Sequence, residues 1–173
     1  MTRVYIGIGS NIERELHIVA ALDRLDAVFS DLLISPVYES EAIGFAGAPF
    51  LNLVVGFDTL LSVAELLSLL RRVESDNGNE GNQPKFSARS LDLDLLLYGN
   101  YCGVIHDIVL PRADITDYAY ALWPLTDIAG EELHPRLRKT YRELREQFGD
   151  AQKLWPVAFH WRNNDLSAVQ RAS

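Results

Sequence analysis

Asp92 and Asp94 alternate with leucines in the run Arg89-Ser90-Leu91-Asp92-Leu93-Asp94-Leu95. Residues two apart on an extended strand project from the same face. Both carboxylates therefore point one way, while Leu91, Leu93 and Leu95 point into a core. Two carboxylates so close repel unless a cation lies between them or their pKa values rise. Their hard oxygens suit Mg²⁺, which takes one or two protein carboxylates and fills its shell with phosphate oxygens and water. That chemistry serves an enzyme acting on a nucleotide triphosphate. The bland alternative for the pair alone is a solvated acidic face on an edge strand. Arg89 beside the pair and the long polar loop before it favour the metal.

Three other places carry weaker signals. Asn52 is a polar residue inside the apolar run FLNLVVGF, and burying an unpaired amide is costly. It either satisfies itself on the backbone or reads the donor–acceptor edge of a heterocycle. Phe50, two residues away on the same strand face, is placed to stack on such a ring. Gly9-Ser10-Asn11 reads as a turn that ends the first strand and opens a helix. Such turns can offer backbone N–H groups to an anion, although most simply cap a helix, and the segment is neither a Walker motif nor a GxGxxG fingerprint. His17, His106, His134 and His160 show no ligand spacing and read as structural or surface residues. Trp123 reads as core. No Ser/His/Asp arrangement supports covalent hydrolysis.

The elements that must position these residues follow from hydrophobic period. Val4 to Ile8 is a short strand, followed by helical spacing at Leu16, Val19, Ala20, Leu22 and Leu25. Leu32 to Tyr38 is strand-like, with Pro36 marking an edge or an irregularity. Glu39 to Pro49 is a loop and Phe50 to Phe57 a strand. Ser62 and Glu65 form a capping box for a helix reaching about Glu74. Asp76 to Ala88 is a polar loop, long enough in a compact domain to imply a functional lid or disorder. Ser90 to Tyr98 is a buried strand, Asp114 to Ala129 is helical in part around Pro124, and Tyr141 to Phe148 is another helix. This βα-ββ-αβ order implies an α+β sandwich of the ferredoxin-like kind, an antiparallel or mixed sheet with helices packed on its faces. A single domain is expected over 1–162, with 163–173 as a loose polar tail.

Composition narrows the class. The 173 residues are 48% hydrophobic and 23% charged, which suits one soluble globular domain. No 18-residue uncharged apolar run or signal peptide is present, so membrane insertion is not expected and a cytoplasmic location is. One cysteine, Cys102, leaves no internal disulfide or cysteine zinc cluster. The net charge of −8 argues against a nucleic-acid partner. It also sets a difficulty for a polyanionic substrate, which local cations and a metal would have to overcome.

Together, GIGSN, YESEAIGFAGAPFLN, RSLDLDLLLYG and LPRADITDYAYALWPL resemble the 6-hydroxymethyl-7,8-dihydropterin pyrophosphokinase family from about Thr2 to Ala129. The R-[ST]-L-D-L-D-x-x-L-[FY]-G pattern is the specific part. The resemblance implies pyrophosphate transfer from MgATP to the pterin's 6-hydroxymethyl oxygen, releasing AMP, in folate biosynthesis. It implies two Mg²⁺ ions held by Asp92 and Asp94, which join Arg89 as catalytic residues. It also implies a pterin site of Ser40, Ala42, Ile43, Gly44, Phe50, Asn52 and Tyr120, with Phe50 and Tyr120 sandwiching the ring. ATP would contact Glu74, Lys85, Arg89 and Arg112. The partners implied are small molecules, and a monomer is favoured.

The chain departs from the family around the nucleotide. Arginines and a tryptophan of the family's mobile loop are replaced by Asn79, Gly81, Lys85 and Phe86, and a Trp-Gly-Pro by Phe86-Ser87-Ala88. A His-Tyr pair appears as Arg112-Ala113, and a further arginine as Tyr118. The departures leave two other readings open: a paralogue with altered nucleotide or pterin specificity, and a non-catalytic pterin-binding protein.

Overall fold

The computed structural model describes residues 1–79, 86–149 and 152–167. In chain order the elements are β1 (Thr2–Ser10), α1 (Arg14–Val28), β2 (Leu33–Ile34), β3 (Tyr38–Ser40), β4 (Phe50–Thr59), α2 (Val63–Asp76) and β5 (Asp92–Tyr98). There follow β6 (Gly103–Ile105), β7 (Ile108–Leu110), α3 (Asp114–Asp117), α4 (Ala119–Ala129), α5 (Tyr141–Gln147), β8 (Leu154–Pro156), β9 (His160–Trp161) and β10 (Asn164–Asp165).

The main sheet runs β5-β1-β4-β3-β8, with β2 also on β4, and every neighbouring pair is antiparallel. With α1 after β1 and α2 after β4, this is the ferredoxin-like α+β arrangement. β2 and β3 share the outer edge of β4, where one continuous strand was expected over Leu32 to Tyr38. Pro36 falls in the gap because it has no N–H to give a ladder. Ser35 mends the break, donating its N–H to the Val54 carbonyl at 2.9 Å while its Oγ accepts the Val54 N–H at 2.9 Å.

Helices cover both faces of the sheet. On one, Ile18, Leu22 and Leu25 of α1 and Leu66, Leu70 and Val73 of α2 pack with Ile6, Ile8, Leu53, Leu93 and Leu95. The capping box forms as read: Ser62 and Glu65 satisfy each other's backbone N–H at the start of α2. On the other face, Leu122, Leu125 and Ala129 of α4 and Tyr141 of α5 cover Tyr5, Val54 and Leu96. Pro124 lies inside α4.

Two expectations are corrected. The first strand does not end at Ile8, because β1 continues through Gly9 and Ser10, and α1 begins only at Arg14 behind a left-handed Glu13 without a side-chain cap. Of the expected tail, 168–173 lies outside the described residues, but the chain is not loose over 163–167. There β10 pairs with β9, Leu166 is only 7% exposed, and the Val37 N–H donates to the Leu166 carbonyl at 2.8 Å. Among the described residues no helix is long and apolar enough to cross a membrane.

Candidate active site

The strand register builds the site. Gly9 of β1 is paired with Asn52 on β4 and with Asp92 on β5, and Gly7 is paired with Val54 and Asp94. Directly paired residues point to the same face, so two rows cross the sheet, Asn52-Gly9-Asp92 and Val54-Gly7-Asp94. The middle place in each row has no side chain. Where α4 ends its cover, these bare glycines leave an open floor flanked by an amide and two carboxylates. Alternation in Ile6-Gly7-Ile8-Gly9 carries that information: apolar toward the core, vacant toward the site.

Above the floor lies a cavity of about 400 Å³ lined by Gly7, Gly9, Ser40, Ile43, Phe50, Asn52 and Tyr120, among others. A second cavity, about 380 Å³, lies beyond β5 against α2 and is lined by Arg71, Glu74, Asn79 and Ile108. Arg89, Asp92, Asp94 and Arg112 line both. Two chambers therefore meet over the aspartate pair.

Burial pushes the Asp92 carboxyl up, and the charge of Glu74 adds to it. Asp94 is likewise raised by burial and then by Asp92. Arg112 partly compensates, its NH2 lying 3.3 Å from Asp94 Oδ1 and its Nε 3.4 Å from Asp114 Oδ1. Burial works against the charge on Arg112, but Asp94 and Asp114 more than offset it, so its pKa rises. Two desolvated, mutually repelling carboxylates are a donor set that a hard divalent cation relieves. Among the described residues no group of three or more acidic, histidine or cysteine side chains is arranged to hold a metal unaided. Mg²⁺ that arrives with phosphate oxygens needs only the two, and the residues fit it.

Neighbouring contacts fix the approach to β5. The Asn11 N–H donates to the Arg89 carbonyl at 2.9 Å, and Asn11 Oδ1 accepts the Arg89 N–H at 2.7 Å. Ser10 Oγ donates to the Ser90 carbonyl at 2.5 Å. Ser10 and Asn11 therefore brace Arg89 and Ser90 and do not form an anion-binding turn. Glu74 Oε2 accepts the Leu93 N–H at 2.9 Å, and burial raises the Glu74 pKa. Asn79, expected in a mobile lid, is buried, with Nδ2 donating to the Leu91 carbonyl at 2.7 Å.

Aromatic rings form the far wall. Tyr120 donates its hydroxyl to Asp114 Oδ2 at 2.8 Å and stacks on Tyr118 with centroids 4.9 Å apart. Phe86 meets Tyr118 edge-on at 6.2 Å, and Phe45 meets Phe50 edge-on at 6.4 Å. Tyr118 backs the Tyr120 ring and is not itself among the residues lining the chamber. Asn52 is satisfied mainly by a side chain, with longer contacts from Nδ2 to the Tyr38 and Phe50 carbonyls at 3.5 and 3.4 Å. Its Nδ2 donates to Ser40 Oγ at 2.8 Å, while among the described residues its Oδ1 receives no hydrogen bond.

Most of the residues read from sequence converge here: Asp92, Asp94, Arg89 and Arg112 at the junction, Ser40, Ile43, Phe50, Asn52 and Tyr120 in the first chamber, and Glu74 in the second. Ala42 and Gly44 do not line the chamber. Gly44 instead turns with φ +79° beneath the Phe86 side chain. Lys85 lies outside the described residues with the rest of 80–85, whereas 77–79 and 86–88 of the expected lid are described and Asp76 belongs to α2. Sequence reading missed the floor glycines, Asp114, Arg71 and the bracing by Ser10 and Asn11. Trp123, expected in the core, packs half-buried against the second core cluster, edge-on to Phe148 with Arg145 over its ring.

Residues 5–130 match the family described as 7,8-dihydro-6-hydroxymethylpterin-pyrophosphokinase (HPPK). The chain is 32% identical over 149 residues to the 2-amino-4-hydroxy-6-hydroxymethyldihydropteridine pyrophosphokinase of Aquifex aeolicus, covering 85% of this chain and 92% of that one. It is 35% identical over 131 residues to the same-named protein of Pseudomonas aeruginosa, covering 73% and 80%. In fold it is similar to the crystal structure of Plasmodium falciparum HPPK-DHPS, with a TM-score of 0.67 at 12% identity over 86% of this chain. It spans 44% of that solved chain.

Proposed function

The chain belongs to the 7,8-dihydro-6-hydroxymethylpterin-pyrophosphokinase family, and on that footing we propose that it transfers pyrophosphate from MgATP to the hydroxymethyl oxygen of 6-hydroxymethyl-7,8-dihydropterin, releasing AMP for folate biosynthesis. The observation that carries the reading is the junction: Arg89, Asp92, Asp94 and Arg112 belong to the walls of both chambers. A group transferred between two substrates has to cross such a boundary.

In this reading the pterin lies on the main chain of Gly7 and Gly9, between Phe50 and Tyr120. Asn52 Oδ1 accepts a ring N–H, and Ser40 holds the Asn52 amide in that orientation. Tyr120 keeps its plane because Asp114 takes its hydroxyl and Tyr118 backs its ring. The nucleotide occupies the second chamber, with Arg89, Arg71 and Arg112 offsetting triphosphate charge. Glu74 holds the Leu93 N–H, which fixes β5 between the two aspartates. Asp92 and Asp94 would hold two Mg²⁺ ions, which neutralise the triphosphate and make its β-phosphorus more electrophilic.

The hydroxymethyl oxygen bonds to the β-phosphorus as the bond from that phosphorus to the α–β bridging oxygen breaks. AMP keeps the bridging oxygen, the pterin keeps the β- and γ-phosphates, and the hydroxyl proton passes to water. No protein nucleophile is required, because such transfers depend on alignment and charge stabilisation. The decisive test is AMP formation by the purified protein with MgATP and the dihydropterin together, compared with each alone. A folded protein that forms no AMP with both overturns the proposal.

A further inference from the structure

Arg112 stands between two acids without committing to either. It touches Asp94 through one nitrogen at 3.3 Å and Asp114 through another at 3.4 Å. Charge-assisted hydrogen bonds are shorter, about 2.7–2.9 Å, and arginine binds a carboxylate best with two parallel N–H groups. Among the described residues its buried Nε makes no hydrogen bond. The guanidinium is thus held by charge rather than by directional bonds. Its main chain, by contrast, is anchored, the N–H donating to the Leu96 carbonyl at 3.0 Å. A fixed backbone with a loosely held cation at the boundary of both chambers is a group that can change partners over a short distance.

Asp94 faces two claims, since a guanidinium already beside the carboxylate opposes a divalent cation there. We propose that Arg112 is a positioning residue that occupies Asp94 until a triphosphate arrives, then moves its charge to the phosphates and leaves Asp94 to the metal. Metal loading is thereby coupled to nucleotide binding. Without nucleotide, Arg112 keeps Mg²⁺ weak at the junction. With it, the same side chain helps to hold the polyanion. Asp114 is the resting partner that keeps the guanidinium within reach of both. This inference rests on the proposed MgATP reaction and adds an order of events to it.

Calorimetry with MgCl₂ alone on the full chain tests it, alongside KM for MgATP in AMP formation. Arg112→Ala should bind Mg²⁺ roughly threefold more tightly or better in the absence of nucleotide, the scale of one removed charge beside a partly exposed carboxylate. The same variant should raise the KM for MgATP and keep its affinity for the pterin. Arg112→Lys keeps the charge and should bind free Mg²⁺ as the wild type does. Asp114→Asn removes the resting partner, commits Arg112 to Asp94, and should weaken free Mg²⁺ binding. A merely structural arginine would shift both cation and nucleotide binding in the same, weaker direction. Free Mg²⁺ binding that is unchanged or weaker in a folded Arg112→Ala protein overturns the exchange, and so does Asp114→Asn binding Mg²⁺ more tightly. If wild type forms AMP while those signs fail, only this inference falls. If wild type forms none, the underlying reaction falls with it.

Discussion

Asn11 holds the main chain of Arg89 on both sides, its N–H donating to the Arg89 carbonyl at 2.9 Å and its Oδ1 accepting the Arg89 N–H at 2.7 Å. Its Nδ2 donates to the Ala48 carbonyl at 3.1 Å, which ties the same bracket to the loop before β4. Arg89 is thereby placed by a residue beyond the opposite strand. Asn11→Ala should lower kcat for AMP formation and destabilise the fold by about 1–2 kcal/mol, the cost of a half-buried N–H left unpaired. Steady-state kinetics with urea denaturation checks both. A normal kcat in the destabilised variant would show that Arg89 does not depend on this bracket.

Asp94→Ala should reduce AMP formation by roughly 10²–10³-fold or more, because charge stabilisation at the transferring group is lost. Pterin affinity should change little, since a group acting on the transition state contributes little to ground-state binding. Single-turnover assays paired with pterin calorimetry separate the two effects. Equal losses in both would place Asp94 in the pterin site instead.

The floor glycines predict effects of opposite sign. A Cβ added at Gly9 would lie 3.7 Å from Asn52 Oδ1 and 3.8 Å from Phe50 Cδ1, ordinary contact distances. Gly9→Ala should therefore fold, with stability equal or higher by about 0.5–1 kcal/mol, as expected for replacing a strand glycine. Pterin binding should weaken by about 1–3 kcal/mol as the methyl takes up substrate space. Melting temperature and calorimetry together test the split.

Asn52→Ala removes the proposed acceptor for the pterin ring and also leaves Ser40 Oγ without its amide donor. Pterin affinity should fall by about 1–3 kcal/mol. KM for MgATP should stay near the wild-type value. A variant that binds pterin normally would move the pocket elsewhere.

Far from the site, His134 Nδ1 accepts the N–H groups of Arg136 at 3.2 Å and Leu137 at 3.1 Å. Burial lowers its pKa below the ordinary 6.5, and the Arg136 charge adds to this. The folded state therefore binds the His134 proton less tightly than the unfolded chain. Its contribution to stability is present above pH 6.5 and is lost as pH falls through the lowered folded value. His134→Asn, whose Oδ1 can accept the same N–H groups, should flatten this part of the melting-temperature profile.

How much of this was legible depended on what each residue signals locally. Asp92 and Asp94 could be placed because Leu91, Leu93 and Leu95 set a period of two, and the buried leucines hold that face as read. Asn52 was visible as a polar residue interrupting an apolar run. Gly7 and Gly9 were not, since glycine is the commonest mark of a turn, and only pairing on both sides reveals it as a floor. Arg112 could be named from its neighbourhood, but its position between Asp94 and Asp114 depends on how β5 and the chain after β7 come together. Leu166 was one apolar residue in a polar stretch, too little pattern to predict that it would be buried against the Val37 edge.

Main chain is the one surface that mutation cannot rewrite atom by atom. Because Gly7 and Gly9 make the chamber floor out of backbone, a competing molecule that rests on it touches groups every sequence would supply. To expel that molecule from below, a variant would have to place a side chain at position 7 or 9, where the same side chain would obstruct the proposed pterin site. With the pterin seated as proposed, resistance by that route would cost the chain its own substrate, so ligands built against the floor should be harder to escape than ligands built against the Tyr120 wall.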